Sequence, residues 1–583
     1  MKTYCNPLNL PYQYQHYGKA AHREAADPTL ILYKDKYYLF TSMTGGFYWS
    51  EDLLNWNYHQ NSDLDLYRYA PDVREVNGRL VFCASTRGKP STFRVTDDPL
   101  SDQWETLSEP FDFWDPDTFQ DDDGRVYFYW GCASGKPIYA VEMDEKTFTS
   151  IGEKREVIFG RNDIHGWERI AYPGAPEKKD SLRMKLLYLL MELSGNGGKD
   201  SPFIEGAFMN KWNGKYYLQY AAPGTELATY GDGVYVSDHP LGPFTYQAHN
   251  PVSFKPAGFI TGAGHGSTIA DRYGNLWHAA TMRISVNANF ERRVGLFPAG
   301  VDEDGIFYCN QNFADYPLEI PEGKFDARKV SPKWMLLSYK KAVCASSSLE
   351  GHPAELAVDE DIRTCWCAAG SAGEWLRLDL GECCRVHAVQ VNLADVDGPV
   401  RKVDKTRRSE LMTNSRWIDL DRNRHTRWLL EGSADGTNWE ILADRRDADS
   451  DLAHDYVELS GPASIRYLRL TGGELPYGEK LAVSGLRVFG EGNAPLPEAV
   501  SNVRCRRRDP MTASVSWDAV PGAQGYNVRF GIAPNKLYLS HMVYGDSHVL
   551  LTALNAEQEH YYFSVDSFNE SGITKGKIYK CND

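Results

Sequence analysis

Ala26-Asp27-Pro28-Thr29, Ala70-Pro71-Asp72-Val73, Trp114-Asp115-Pro116-Asp117-Thr118, Ile204-Glu205-Gly206-Ala207 and Gly264-His265-Gly266-Ser267-Thr268 decide the fold of this chain. Each opens an apolar strand and places a polar or acidic group where that strand begins. A turn and a second strand follow. Lys34-Asp35-Lys36 leads into Tyr37-Tyr38-Leu39-Phe40, Asn77-Gly78 into Leu80-Val81-Phe82, and Asp123-Gly124 into Val126-Tyr127-Phe128-Tyr129. Asn213-Gly214 precedes Tyr216-Tyr217-Leu218, and Tyr273-Gly274-Asn275 precedes Leu276-Trp277-His278. A small antiparallel sheet repeated in this way predicts a propeller, whose inner strands converge on one axis. Convergence brings Asp27, Asp115, Glu205 and His265 into one pocket, although they are far apart in sequence.

The first three openings recur about every 45 residues, enough for four short strands and their turns. The step to Glu205 is twice as long, so extra material separates the third and fourth blades, including His165-Gly166-Trp167-Glu168-Arg169. Long insertions of this kind commonly serve as functional loops. Here the insertion is expected to block one end of a groove, giving exo action. Asp72 reads as structural, tying its blade to a neighbour by hydrogen bonds.

The remaining chain reads as two further β modules, giving an all-β protein. The propeller is expected over 1–325, a β-sandwich over 335–490 and an Ig-like sandwich over 496–583. Pro317-Leu318-Glu319-Ile320-Pro321-Glu322-Gly323 and Glu491-Gly492-Asn493-Ala494-Pro495-Leu496-Pro497 are the linkers. Residues 398–425, rich in Arg and Lys, read as an insertion in the second module. Trp366 and Trp375 read as its core.

With 63 basic and 79 acidic residues the net charge is −16. That argues against nucleic acid, whose binding needs a basic face. No run approaches the about 18 apolar residues of a membrane span, so no membrane partner is expected. The start, Met1-Lys2-Thr3-Tyr4-Cys5, lacks an apolar signal core. The expected location is therefore cytoplasmic, or secreted if a leader has been removed. Cys365, Cys367, Cys383 and Cys384 have poor zinc spacing and read mostly as buried thiols.

Two carboxylates across a sugar ring can cleave a glycosidic bond when one is ionised and the other protonated. A third nearby raises the acid's proton affinity. The axis offers Asp27, Asp115 and Glu205. Glu205 lies between apolar neighbours in Ser201-Pro202-Phe203-Ile204-Glu205-Gly206, so burial and a raised pKa are expected.

The propeller motifs, in order and at blade spacing, resemble glycoside hydrolase family 43. The second module, with Ala357-Val358-Asp359-Glu360-Asp361, Glu374-Trp375-Leu376-Arg377-Leu378 and Gly432-Ser433-Ala434-Asp435-Gly436, resembles the discoidin-like (F5/8 type C) jelly-roll. The third, with Ala513-Ser514-Val515-Ser516-Trp517 and Tyr561-Tyr562-Phe563-Ser564-Val565, resembles a fibronectin type III domain.

The first resemblance implies an inverting glycosidase acting on an oligosaccharide or polysaccharide. Asp27 would be the general base, Glu205 the general acid and Asp115 the group that tunes the acid. Inversion would need about 6.5–9.5 Å between base and acid. The product would be a terminal pentose or furanose, from an α-L-arabinofuranosidase, a β-xylosidase or a β-D-galactofuranosidase. Arg292 is the candidate for the sugar hydroxyls, and Phe47, Trp114, Trp167 and Phe203 are candidate walls. No cofactor is required. His265 is a candidate metal ligand at the propeller centre, or else binds axial water. Asp359, Asp361 and Thr364 resemble a structural calcium loop. One rival is a retaining fructan-active propeller. Such enzymes pair Glu with Cys where this chain has Glu205-Gly206, and carry Arg-Asp-Pro in the propeller, which occurs here only at 508–510. The other rival is a non-catalytic glycan-binding protein.

Overall fold

The computed structural model describes residues 2–581 apart from 18–19, 62, 65–67, 86–89, 108–110, 171–200, 371–372, 397–415 and 422–423. Most of the insertion between blades three and four, and most of the basic insertion at 398–425, therefore lie outside the described residues.

Five antiparallel sheets form the propeller. Blade one contains Ala26–Tyr33, Lys36–Ser42, Gly46–Ser50 and Asn57–Gln60. Blade two contains Asp72–Val76, Arg79–Cys83, Arg94–Thr96 and Glu105–Thr106. Blade three contains Asp117–Gln120, Val126–Trp130, Ile138–Met143 and Ser150–Ile158. Blade four runs Phe203–Trp212, Lys215–Ala222, Gly231–Ser237 and Thr245–Tyr246, with Ala133–Ser134 added beside Phe203. Blade five contains Thr261–Ala270, Leu276–Arg283, Arg292–Val301 and Phe307–Cys309.

Turn chemistry sets the register of the first hairpin in several blades. Val76 faces Arg79 across Asn77-Gly78, and Trp212 faces Lys215 across Asn213-Gly214. Both turn residues have positive φ in each case. That conformation matches the twist of the flanking strands and favours Asn-Gly. Lys34-Asp35 adopts the same conformation without glycine, with φ of 46° and 64°.

Side chains clip each blade to the next. Asp72 accepts from Thr118 N at 2.8 Å, Asp117 from Met209 N at 2.7 Å, and Ser267 Oγ from Leu30 N at 2.9 Å. The last of these joins blade five to blade one. A second set uses hydroxyls at the end of the next strand. Ser42 accepts from Ala70 N, Ser85 from Asp115 N and Thr281 from Asp27 N, at 2.7–2.9 Å. The chain start closes the ring: Thr3–Tyr4 pairs with Leu318–Glu319, and Asn6 bonds Leu296 and Ala314.

The second module is built around two 19-residue strands, Trp375–Leu393 and His454–Gly472, which pair with each other and with Ala482–Glu491 and Trp428–Ser433. Trp366 and Trp428 are buried in its core, whereas Trp375 is half-buried. The third module has two sheets, one of Arg504–Asp509, Thr512–Ser516 and His548–Leu551, the other centred on Gly525–Gly531 and Tyr562–Asn569. Trp517 and Tyr526 pack between them. A disulfide joins Cys505 and Cys581, while Cys365, Cys367 and Cys384 are buried thiols and Cys383 is an exposed one. Among the described residues the only helical segments are short 3-10 turns, and no helix is long and apolar enough to cross a membrane.

Candidate active site

The five blade openings share one backbone feature. Asp27, Ala70, Asp115, Gly206 and His265 all have φ between 46° and 62°. Such a conformation costs energy for residues other than glycine. Where these residues lie inside a strand, the ladder slips: between Ala26 and Thr29, between Glu205 and Phe208, and between Gly264 and Ser267. A bulge of this kind redirects a side chain, here toward the axis. In this frame Ala70, not Asp72, occupies the position of Asp27. Asp72 lies two residues further on and clips blade three.

The four polar groups predicted to meet do so around one imidazole. His265 Nδ1 is 3.6 Å from Asp27 Oδ1 and 3.8 Å from Asp115 Oδ2. A nitrogen of His265 and oxygens of Asp115 and Glu205 lie within 4.8 Å of one another. Gly206 permits this approach, since a Cβ there would fall 2.8 Å from the His265 ring.

Each carboxylate has a different environment. Asp27 is buried, accepts from Ser42 Oγ at 2.6 Å and from Arg292 Nη1 at 3.1 Å. Glu205 accepts from Tyr230 Oη at 2.5 Å and from Cys132 Sγ at 3.3 Å. Burial raises the Glu205 pKa, and the Asp27 charge adds to the rise, against the lowering pull of His265 and Tyr230. Asp115 is pushed up to about 8 by burial and by the charges of Glu205 and Asp27, with His265 opposing. Among the described residues no hydrogen-bond donor reaches its Oδ2. For His265 burial works against the charged form, but Asp27, Asp115 and Glu205 outweigh it and its pKa is raised. Burial and neighbouring negative charge thus raise the proton affinity of Glu205 and Asp115 beside an arginine-paired Asp27. That is the asymmetry acid–base cleavage requires.

Of the predicted walls, Trp114 and Phe203 are half-buried, one beside Asp115 and the other two residues before Glu205 in sequence. Phe203 shares its strand face with Glu205. Trp114 lies 6.2 Å from Tyr69, and Tyr69 lies 5.9 Å from Phe290. Arg292 sits over both Tyr69 and Phe290. Tyr69 and Phe290 escaped the sequence reading, because neither is part of a repeated motif. Tyr230 and Cys132 escaped it for the same reason.

Three expectations are corrected. Phe47 is fully buried and stacks on Phe40 at 4.5 Å. It lies on the third strand of its blade, away from the axis, and cannot reach a sugar. Trp167 is 1% exposed and donates to Tyr246 Oη at 3.0 Å. Its segment is an anchor for the third module: Gly166 N donates to Leu554 O at 2.9 Å, and Arg169 Nη2 to Thr512 Oγ1 at 2.9 Å. Arg292 is 2% exposed and bound to Glu24 and Asp27, so it braces Asp27 instead of standing free for sugar hydroxyls.

Distances would let one ion bridge His265, Asp115 and Glu205. Calcium takes about six to eight oxygens, and this cluster offers one imidazole nitrogen and two carboxylates. These three side chains alone fall short of a full calcium shell, so the protein would have to leave the remaining positions to water. In the second module both Asp361 oxygens accept from Arg363, and Thr364 Oγ1 donates to Asp359 Oδ2 at 2.7 Å. Asp361 is thus engaged by a guanidinium and Asp359 by the Thr364 hydroxyl.

Residues 21–307 match the family model for glycosyl hydrolases family 43, and residues 356–470 that for the NedA-like, galactose-binding domain. The chain thus carries a family 43 glycoside hydrolase domain followed by a discoidin-like F5/8 type C domain. A "Beta-xylosidase" of Xylanibacter ruminicola is 32% identical over 135 residues, covering 23% of this chain and 39% of that one. "Xylosidase/arabinosidase 43A" of Humicola insolens is 26% identical over 189 residues, covering 30% of this chain and 56% of that one. The matches thus span less than two thirds of either relative. A solved thermostable family-43 glycoside hydrolase is 20% identical, covers 55% of this chain and 100% of its own, and superposes with a TM-score of 0.40.

Proposed function

We propose that this protein is an inverting exo-glycosidase that removes a terminal pentose or furanose from an oligosaccharide or polysaccharide. The observation that carries the reading is the meeting of Asp27 and Glu205 around His265 in contrasting surroundings. Asp27, with a guanidinium at 3.1 Å, is the partner that takes the proton from water. Glu205, whose proton affinity burial raises, is the protonated one.

In the proposed reaction, Glu205 gives its proton to the leaving glycosidic oxygen as the C–O bond breaks. Water attacks the anomeric carbon from the opposite face, and Asp27 takes a proton from it. Asp115 and His265 set the charge around the acid. Tyr69, Trp114 and Phe290 supply apolar walls that suit a sugar face. The names of the relatives favour a β-xylosidase or α-L-arabinofuranosidase, with a β-D-galactofuranosidase as the third substrate class to try.

Aryl β-xyloside, α-L-arabinofuranoside and β-D-galactofuranoside should be incubated with the wild type and with the Asp27→Asn and Glu205→Gln variants. The wild type is expected to hydrolyse at least one, and each variant to lose about 100-fold to 10,000-fold in kcat. Equal trace rates in all three proteins would overturn the proposal.

A further inference from the structure

The candidate base is held by a guanidinium that is itself held from outside the five blades. Arg292 donates to Asp27 Oδ1 through Nη1, and to Glu24 Oε1 through Nε at 3.0 Å and Nη2 at 2.6 Å. All three side chains are buried. An arginine left alone with a carboxylate tends to engage it with two parallel bonds. Glu24 occupies Nε and Nη2, so Arg292 reaches Asp27 only through Nη1.

Glu24 ends the strand Ala20–Glu24, which pairs with Gln13–Tyr17. The sheet is completed by Arg416–Ile418, a strand of the second module. Alternation along the strand sends neighbouring side chains to opposite faces. Glu24 points to Arg292, while Arg23 points to the second module. The Arg23 backbone N–H donates to Asp395 Oδ2 at 2.7 Å, and its Nη2 donates to Asp451 Oδ1 at 2.8 Å. Trp417 stacks on His16 with ring centroids 3.8 Å apart, and Asp419 N donates to Tyr14 O at 2.9 Å.

We propose that Glu24 is a positioning residue for Asp27, acting through Arg292, and that the discoidin-like module holds the strand that carries it. This rests on the functional reading above and extends it: the second module is part of the support of the catalytic base. Separation of the module from the propeller would then impair chemistry even on a small soluble substrate that needs no targeting.

The test uses the full chain and the best aryl glycoside found for the wild type. Glu24→Ala is expected to lower kcat about 10-fold to 100-fold, as small misplacements of reacting groups do, with KM nearly unchanged. Glu24→Gln keeps an acceptor for Arg292 and is expected to recover part of that loss. Trp417→Ala, which loosens the module's strand without stranding a buried charge, is expected to lower kcat in the wild type and by less in the Glu24→Ala background. Wild-type kcat in Glu24→Ala, or fully additive losses, would overturn the inference. A crystal structure of Glu24→Ala gives a readout independent of activity. Arg292 is expected to turn toward two-point pairing with Asp27, and an unmoved Arg292 would contradict the inference. A wild type inactive on all three glycosides would instead count against the functional reading.

Discussion

Tyr230 donates its hydroxyl to Glu205 Oε1 at 2.5 Å, on the carboxylate whose other oxygen faces the Cys132 thiol. A donor to a carboxylate stabilises its ionised form, so Tyr230 restrains the rise in proton affinity that burial imposes on Glu205. It also fixes the rotation of the carboxyl group.

Removing that donor gives the first prediction. In Tyr230→Phe the Glu205 pKa should rise further, and the basic limb of kcat/KM should move to higher pH by about one unit. kcat should also fall, because the carboxyl is freer to rotate. The pH profile of kcat/KM checks this. An unmoved or lowered basic limb would contradict the role given to Tyr230.

Asp115 links the site to stability. Its carboxyl holds a proton more tightly in the fold than in the unfolded chain, up to about 8. The sign follows from linkage: its favourable contribution is present below the ordinary carboxylate range and is lost as pH rises through about 8. Asp115→Asn cannot ionise and escapes that loss. Its melting temperature should therefore gain on the wild type between about pH 4 and 8 and hold the gain above, while activity falls. Melting curves across that range check both parts.

Ring closure makes a prediction away from the chemistry. Ser267 Oγ accepts from Leu30 N across the junction of blades five and one, and the site is fully buried. Ser267→Ala leaves that N–H without its acceptor. The propeller should lose about 1–3 kcal/mol, read as a lower melting temperature, with KM little changed.

How much of this was legible in the sequence follows from what repeats. The blade openings recur, so the propeller, the order of its sheets and the meeting of Asp27, Asp115, Glu205 and His265 could be read before any coordinates. The apolar neighbours of Glu205 also indicated its raised proton affinity. The walls were harder. Phe47 and Trp167 have the composition of sugar platforms, but only strand position and packing reveal that one lies in a blade interior and the other is buried against Tyr220 with its indole bonded to Tyr246. Arg292 was rightly placed near the site and wrongly left free, because its second partner, Glu24, is in a hairpin before the first blade. Tyr69 and Phe290 come from loops with no pattern to mark them. Pairing between the hairpin and Arg416–Ile418 joins residues some 400 positions apart, and no local signal predicts such a contact.

The measurement closest to the central claim is the anomeric configuration of the first sugar released, followed by NMR during turnover before mutarotation. Asp27 as a water-activating base and Glu205 as a proton donor predict inversion: the product appears first as the anomer opposite to that of the bond cleaved. Release with retained configuration would require a carboxylate nucleophile and would contradict the roles assigned to both residues.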